Sequence, residues 1–181
     1  MLTAHVPAGY ILSRAALSSG LLPATLSPRL VIASGVFAAI LPDLDMIYFY
    51  TIDARQHLHH SYWTHIPLFW VGVCLVVVAV LYAIRQAKYA PLVVLAAANL
   101  LVHCFLDTVV AGILWHKPFL HKYTVFVEVP NVYPYTFMNF VLHWTFIFEV
   151  LIWIVALGLF LGGSRGFLRR RTPTSSLPEM G

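Results

Sequence analysis

From Ile66 to Ile84 the chain runs for 19 residues without a charge, "IPLFWVGVCLVVVAVLYAI". A helix needs roughly 20 consecutive apolar residues to cross the hydrocarbon core of a bilayer, so this run predicts a transmembrane helix. The composition agrees, with 60% hydrophobic and only 10% charged residues, which is that of a membrane protein. Tyr89–Leu106 is uncharged apart from neutral His103, and Val132–Ser164 holds only His143 and Glu149 as ionisable groups, which predicts two more crossings. A shorter uncharged stretch predicts a helix from about Pro28 to Leu41, ending at the aspartates of "LPDLD".

The opening stretch "HVPAGYILSRAALSSGLL" is interrupted by Arg14 and is taken as a further crossing with its N-terminus outside. With no basic leader and no A-x-A site, it is not read as a removable signal peptide. The expected fold is all-α: a polytopic helical membrane protein with four to five transmembrane helices in one bundle. Residues 1–164 are expected to form that membrane domain, and residues 165–181 a basic, disordered cytoplasmic tail. Cys74 and Cys104 fall inside apolar segments, where a free thiol acts as a small apolar group.

Basic residues in short loops favour the cytoplasm. Arg165, Arg169, Arg170 and Arg171, the pair Arg85 and Lys88, and Arg29 all place their segments inside under one topology, with Lys117 and Lys122 dissenting. The segments Asp43–His65 and Trp115–Pro134 then lie on the external face, and most of the chemistry-bearing side chains are there.

Ionisable side chains at membrane depth are costly and by default mark function. His103 and Asp107 in "HCFLD" stand at i, i+4 on one helix face, a pair that suits a divalent metal or a plain inter-helix hydrogen bond. Asp43 and Asp45 repel each other at the boundary unless a cation or water relieves them. His60 and His65 in "HHSYWTH" flank the start of the Ile66 helix on the same side, and His5 joins them if the first segment crosses. This convergence favours a metal site on His5, Asp43, Asp45, His60, His65, His103 and Asp107. His59, His116, Lys117 and His121 are weaker candidates for contacting substrate, and His57 and His59 are expected to be replaceable as ligands. Glu149 is expected to pair with Arg14.

In order and approximate spacing, "AHVPAGYIL", "LPDLD", "HSYWTH" and "HCFLD" followed by "ILWHKP" resemble the YdjM-type family of membrane-bound metal-dependent hydrolases, over about residues 5 to 120. The resemblance implies roles for His5, Asp43, Asp45, His60, Thr64, His65, His103 and Asp107. It departs at Met46, where the family often has histidine, at Ser61 and Tyr62 in place of Arg-Gly, and at Ile66 in place of serine.

The function expected is hydrolysis at the outer surface of a bacterial or archaeal inner membrane. One or two divalent ions, zinc foremost with manganese or iron as alternatives, would activate water. Asp43, Asp45 and Thr64 would assist, Thr64 by bonding a substrate oxygen. The bond attacked would be a phosphoester or acyl bond of a lipid or lipid-linked substrate, with the bilayer as partner and no nucleic acid. The chain has no GxSxG elbow or P-loop. Haem-based electron transfer and metal or proton transport are the competing classes.

Overall fold

The structure is a computed structural model that describes residues 1 and 3–169, the side chains of residues 136 and 164–169 apart. Among the described residues it is helical, with one isolated antiparallel bridge between Ile113 and Thr124 and no strand. The α-helices are α1 (His5–Ser18), α2 (Pro28–Ile40), α3 (Asp45–Thr51), α4 (Pro67–Ala83), α5 (Ala90–Thr108), α6 (Thr136–Val141) and α7 (Phe146–Arg169).

Local chemistry sets most of these ends. Ser27 caps α2 by accepting the Leu30 N–H, and Pro28 follows where its missing N–H costs nothing. Pro42 ends α2 because it has no N–H to continue the ladder. The chain makes one 3₁₀ turn over Pro42–Leu44 and resumes as α3 at 53° to α2. Proline also opens α4, at Pro67.

α1 and α2 approach closely through small residues. A Cβ on Gly9 would stand 2.6 Å from Ala39 Cβ, and one on Gly35 would stand 1.9 Å from Ser13 Oγ. α2 and α4 pack on α5, with Ala38, Trp70 and Leu100 buried together at one level and Leu26, Val31 and Leu95 at the other. α7 lies against α1 and leaves most of its apolar side chains exposed, as a lipid-facing helix does.

Two helices are long and apolar enough to cross a membrane, Ala87–Thr108 and Phe146–Gly163, or three if the bent α2–α3 pair counts as one span. The expected four to five crossings are therefore too many for the described residues. At about 1.5 Å per residue, α1 is roughly 21 Å long and α4 roughly 26 Å, both short of a hydrocarbon core of about 30 Å. Val132–Ser164 is also not one helix, since α6 and α7 are separated around His143, whose Nδ1 meets Thr145 Oγ1 at 2.9 Å. α7 continues to Arg169, so the start of the segment expected to be disordered is helical; Arg170 and Arg171 lie outside the described residues.

Arg14 does not pair with Glu149. The guanidinium lies beside Gly163, roughly four turns further along α7, while Glu149 Oε2 accepts the Thr3 N–H at 2.6 Å and the Thr3 hydroxyl at 2.8 Å.

Candidate metal centre

Four helix ends meet at one end of the bundle: the start of α1 (His5), the α2–α3 break (Asp43, Asp45), the turns before α4 (His59, His60, Thr64, His65) and the last turns of α5 (His103, Asp107). His103 and Asp107 share a face of α5, and their Nε2 and Oδ2 atoms are 3.1 Å apart. The turns before α4 are pinned by Trp70, whose indole N–H donates to the Thr64 carbonyl at 2.6 Å.

Two histidines have their roles fixed by what their other nitrogen touches. His103 Nδ1 is 2.7 Å from the Ala39 carbonyl, which can only accept, so this nitrogen carries the proton and Nε2 presents a lone pair. His65 Nδ1 is 2.9 Å from Asp45 Oδ2, which turns its Nε2 inward in the same way. The two Nε2 atoms face each other at 3.4 Å. Asp43 Oδ1 is 3.6 Å from each, and Asp107 Oδ2 is 3.1 Å from that of His103 and 3.8 Å from that of His65.

Donors bound at about 2.1 Å in a tetrahedron stand about 3.4 Å from one another, so these separations already have the size of a zinc shell. One further observation says that a cation fits. Asp107 Oδ2 is buried and accepts no hydrogen bond, although a third imidazole, His60 Nε2, is also only 3.7 Å away. A buried carboxylate oxygen without a donor is costly, and a metal ion among these lone pairs removes the cost.

Asp45 stands outside this shell. It accepts from the Thr64 hydroxyl and bonds His65, and its Oδ1 is 3.2 Å from His59 Nδ1. Asp45 thus holds His65 in place with its oxygens engaged by neighbours, and Thr64, 8% exposed, gives its proton to Asp45.

His5 stacks on His103 with ring centroids 3.9 Å apart, and its Nε2 is 3.1 Å from Asp107 Oδ1 and 3.0 Å from the Met1 carbonyl. The Met1 ammonium pairs with the same Asp107 oxygen. His5 reaches the cluster although α1 is too short to span, because the glycine contacts with α2 carry it there.

Burial opposes charge on both His65 and His60, with different outcomes. At His65, hydrogen bonds to Asp43 and Asp45 outweigh it and hold the pKa up to about 9, so without metal Nε2 carries a proton that a cation must displace. At His60 burial wins over the attraction of Asp107 and pushes the pKa down to about 3, leaving a neutral imidazole. The cluster opens towards solvent at Asp43, whose side chain is 35% exposed, and at His60, 25% exposed.

The remaining sequence candidates sort by position. His57 is engaged with Asp53 at 2.7 Å, away from the cluster. His59 belongs to the Asp45 network and, with His60 and His65, forms a trio of imidazoles close enough to hold a metal ion, as do His5, Asp43, His103 and Asp107 together. Among the described residues His116, Lys117 and His121 make no ion pair with the cluster. Their loop closes on itself, through Leu120 N to the His116 carbonyl and the packing of His121 on Tyr123. The sequence reading missed the Ala39 carbonyl, which no side-chain motif could announce, and the place of His59 behind Asp45, for which spacing gave no signal.

No curated protein and no solved structure matches the chain. A family model does, that of the YdjM inner membrane protein, over residues 1–171, and the chain belongs to that family of inner membrane proteins.

Proposed function

We propose that this protein is a membrane-embedded metal-dependent hydrolase. The observation that carries the reading is the orphaned Asp107 Oδ2 beside the inward Nε2 atoms of His65 and His103. His65, His103, Asp43 and Asp107 would hold a divalent cation, zinc by the mix of imidazole and carboxylate, with manganese or iron as alternatives. Bound there, the metal would supply a Lewis acid and an acidified water. Asp45 keeps His65 in the tautomer that presents Nε2, and the Ala39 carbonyl does the same for His103. Neutral His60, at the mouth with its Nε2 3.7 Å from Asp107 Oδ2, is placed to add an imidazole to the shell.

A cavity of about 610 Å³ adjoins Asp45 and Thr64, and Leu41, Leu44, Tyr48, Trp63 and Trp70 give it apolar walls. Such a cavity suits the acyl or prenyl part of a lipid-like substrate whose phosphoester or acyl bond reaches Asp43. Arg29, Arg85 and Lys88 lie at helix ends opposite the cluster, which by the positive-inside rule supports an external site.

The test is metal analysis of the detergent-purified chain beside His103→Ala, with hydrolysis of a lipid phosphoester and a lipid ester followed for both. The reading expects bound divalent metal and turnover of one substrate in the wild type, and loss of both in the variant. A wild type without metal after zinc, manganese and iron have been offered sinks it. A strong Soret band would favour haem.

A further inference from the structure

Asp43 and Asp107 each turn their two oxygens to different histidines. Asp43 Oδ1 and Asp107 Oδ2 face His65 and His103, the shell described above. Their other oxygens face His5, whose Nε2 is 3.1 Å from Asp107 Oδ1 and 4.0 Å from Asp43 Oδ2. A carboxylate that points one oxygen to each of two nitrogen donors has the disposition of a bridge between two cations.

We propose that the centre takes two divalent cations, the second on His5 Nε2, Asp107 Oδ1 and Asp43 Oδ2, with both carboxylates bridging. This rests on the metal-dependent reading above and extends it from one ion to two. An independent observation points to positive charge on that side of Asp107: the Met1 ammonium pairs with Oδ1 where both groups are almost wholly buried, at 3% and 2% exposure. With one cation among His65, His103, Asp43 Oδ1 and Asp107 Oδ2, this face of the buried carboxylate is neutralised by that ammonium, in the place a second cation would take. His5 is the imidazole there: its Nε2 stands between two acceptors, Asp107 Oδ1 and the Met1 carbonyl, and so carries a proton that a cation would displace, while its Nδ1 is buried with no hydrogen-bond partner. The other trio, His59, His60 and His65, is the weaker place for a second ion, because it offers three imidazoles and no carboxylate.

The experiment uses the full chain in detergent, stripped of metal and reloaded with Mn²⁺. Bound manganese per chain is measured by elemental analysis, and exchange coupling by electron paramagnetic resonance. The proposal expects two ions and a coupled spectrum in the wild type, one ion and an uncoupled spectrum in His5→Gln, and two coupled ions in His59→Gln. One uncoupled ion in the wild type overturns the second position while the one-cation hydrolase reading stands; no ion overturns both. Two coupled ions in His5→Gln, or loss of one in His59→Gln, overturns the assignment to the His5 side. If His5→Gln does not fold, the wild-type count and coupling decide.

Discussion

Asp45 accepts from Thr64 and bonds His59 and His65, and of these only His65 belongs to the proposed metal shell. Removing its charge while keeping its shape leaves the four donors in place but loosens the ring that presents one of them. Asp45→Asn is therefore expected to lower metal affinity by about 10- to 100-fold, the usual cost of losing a carboxylate behind a ligating histidine. Thr64→Val, which removes one partner of Asp45, should cost less than Asp45→Asn. Competition against a chelator of known affinity measures both, and an unchanged affinity in Asp45→Asn would remove Asp45 from the site. The ranking separates a residue that acts through His65 from one that binds metal itself.

At the scale of elements, His5 depends on the fit of α1 against α2. Gly9→Ala places a methyl 2.6 Å from Ala39 Cβ, so the helices must part. Overpacking of this kind costs about 1–3 kcal/mol. Because Ala39 also holds His103 through its carbonyl, the same change should weaken metal binding. Gly72→Ala in α4, where an added Cβ meets nothing within 4 Å, is the control and should leave both melting temperature and metal affinity unchanged.

The loop between α3 and α4 is fastened by Asp53, which accepts from the His57 backbone N–H at 3.0 Å and meets its ring at 2.7 Å. These bonds lower the Asp53 pKa from 3.8 to about 2. The folded-state pKa is depressed, so the stabilisation is fully present above 3.8 and is lost as pH falls through about 2. Hydrogen exchange at the His57 amide should quicken over that window in the wild type and be fast at every pH in Asp53→Asn. A wild-type amide equally protected at pH 2 and pH 5 would show that the bond does not hold the loop.

For the whole molecule, the site joins four segments far apart in sequence, and a cation that binds them only when folded stabilises the assembly by mass action. At 100 times its dissociation constant the gain is about 2.7 kcal/mol. The melting temperature should therefore rise with added metal and fall with chelator, and His103→Ala should lose the response. Orientation is tested separately, in a chain with Cys74 and Cys104 replaced by serine. A cysteine at exposed Phe119, on the α5–α6 loop, should react with a membrane-impermeant maleimide on intact cells. One at exposed Ile84, where α4 ends, should react only after permeabilisation. The reverse pattern would put the site in the cytoplasm.

The solvent and the helices were legible from local pattern alone. Uncharged runs mark α4, α5 and α7 because hydrocarbon tolerates few charges, and Pro42 marks the break after α2 because proline has no N–H to give. It also placed His103 beside Asp107, since helical periodicity is a local property. Helix lengths misled it: an apolar run bounds where a helix can lie, but backbone hydrogen bonding decides where it stops, and α1 and α4 stop short of a span. Only tertiary structure decided which acidic residues face the shell. Asp43 and Asp45 are two positions apart in one motif, yet one turns to His65 Nε2 and the other to His65 Nδ1. That division follows from the 3₁₀ turn after Pro42 and from where α5 and the turns before α4 lie against it, contacts between distant segments that no local pattern encodes.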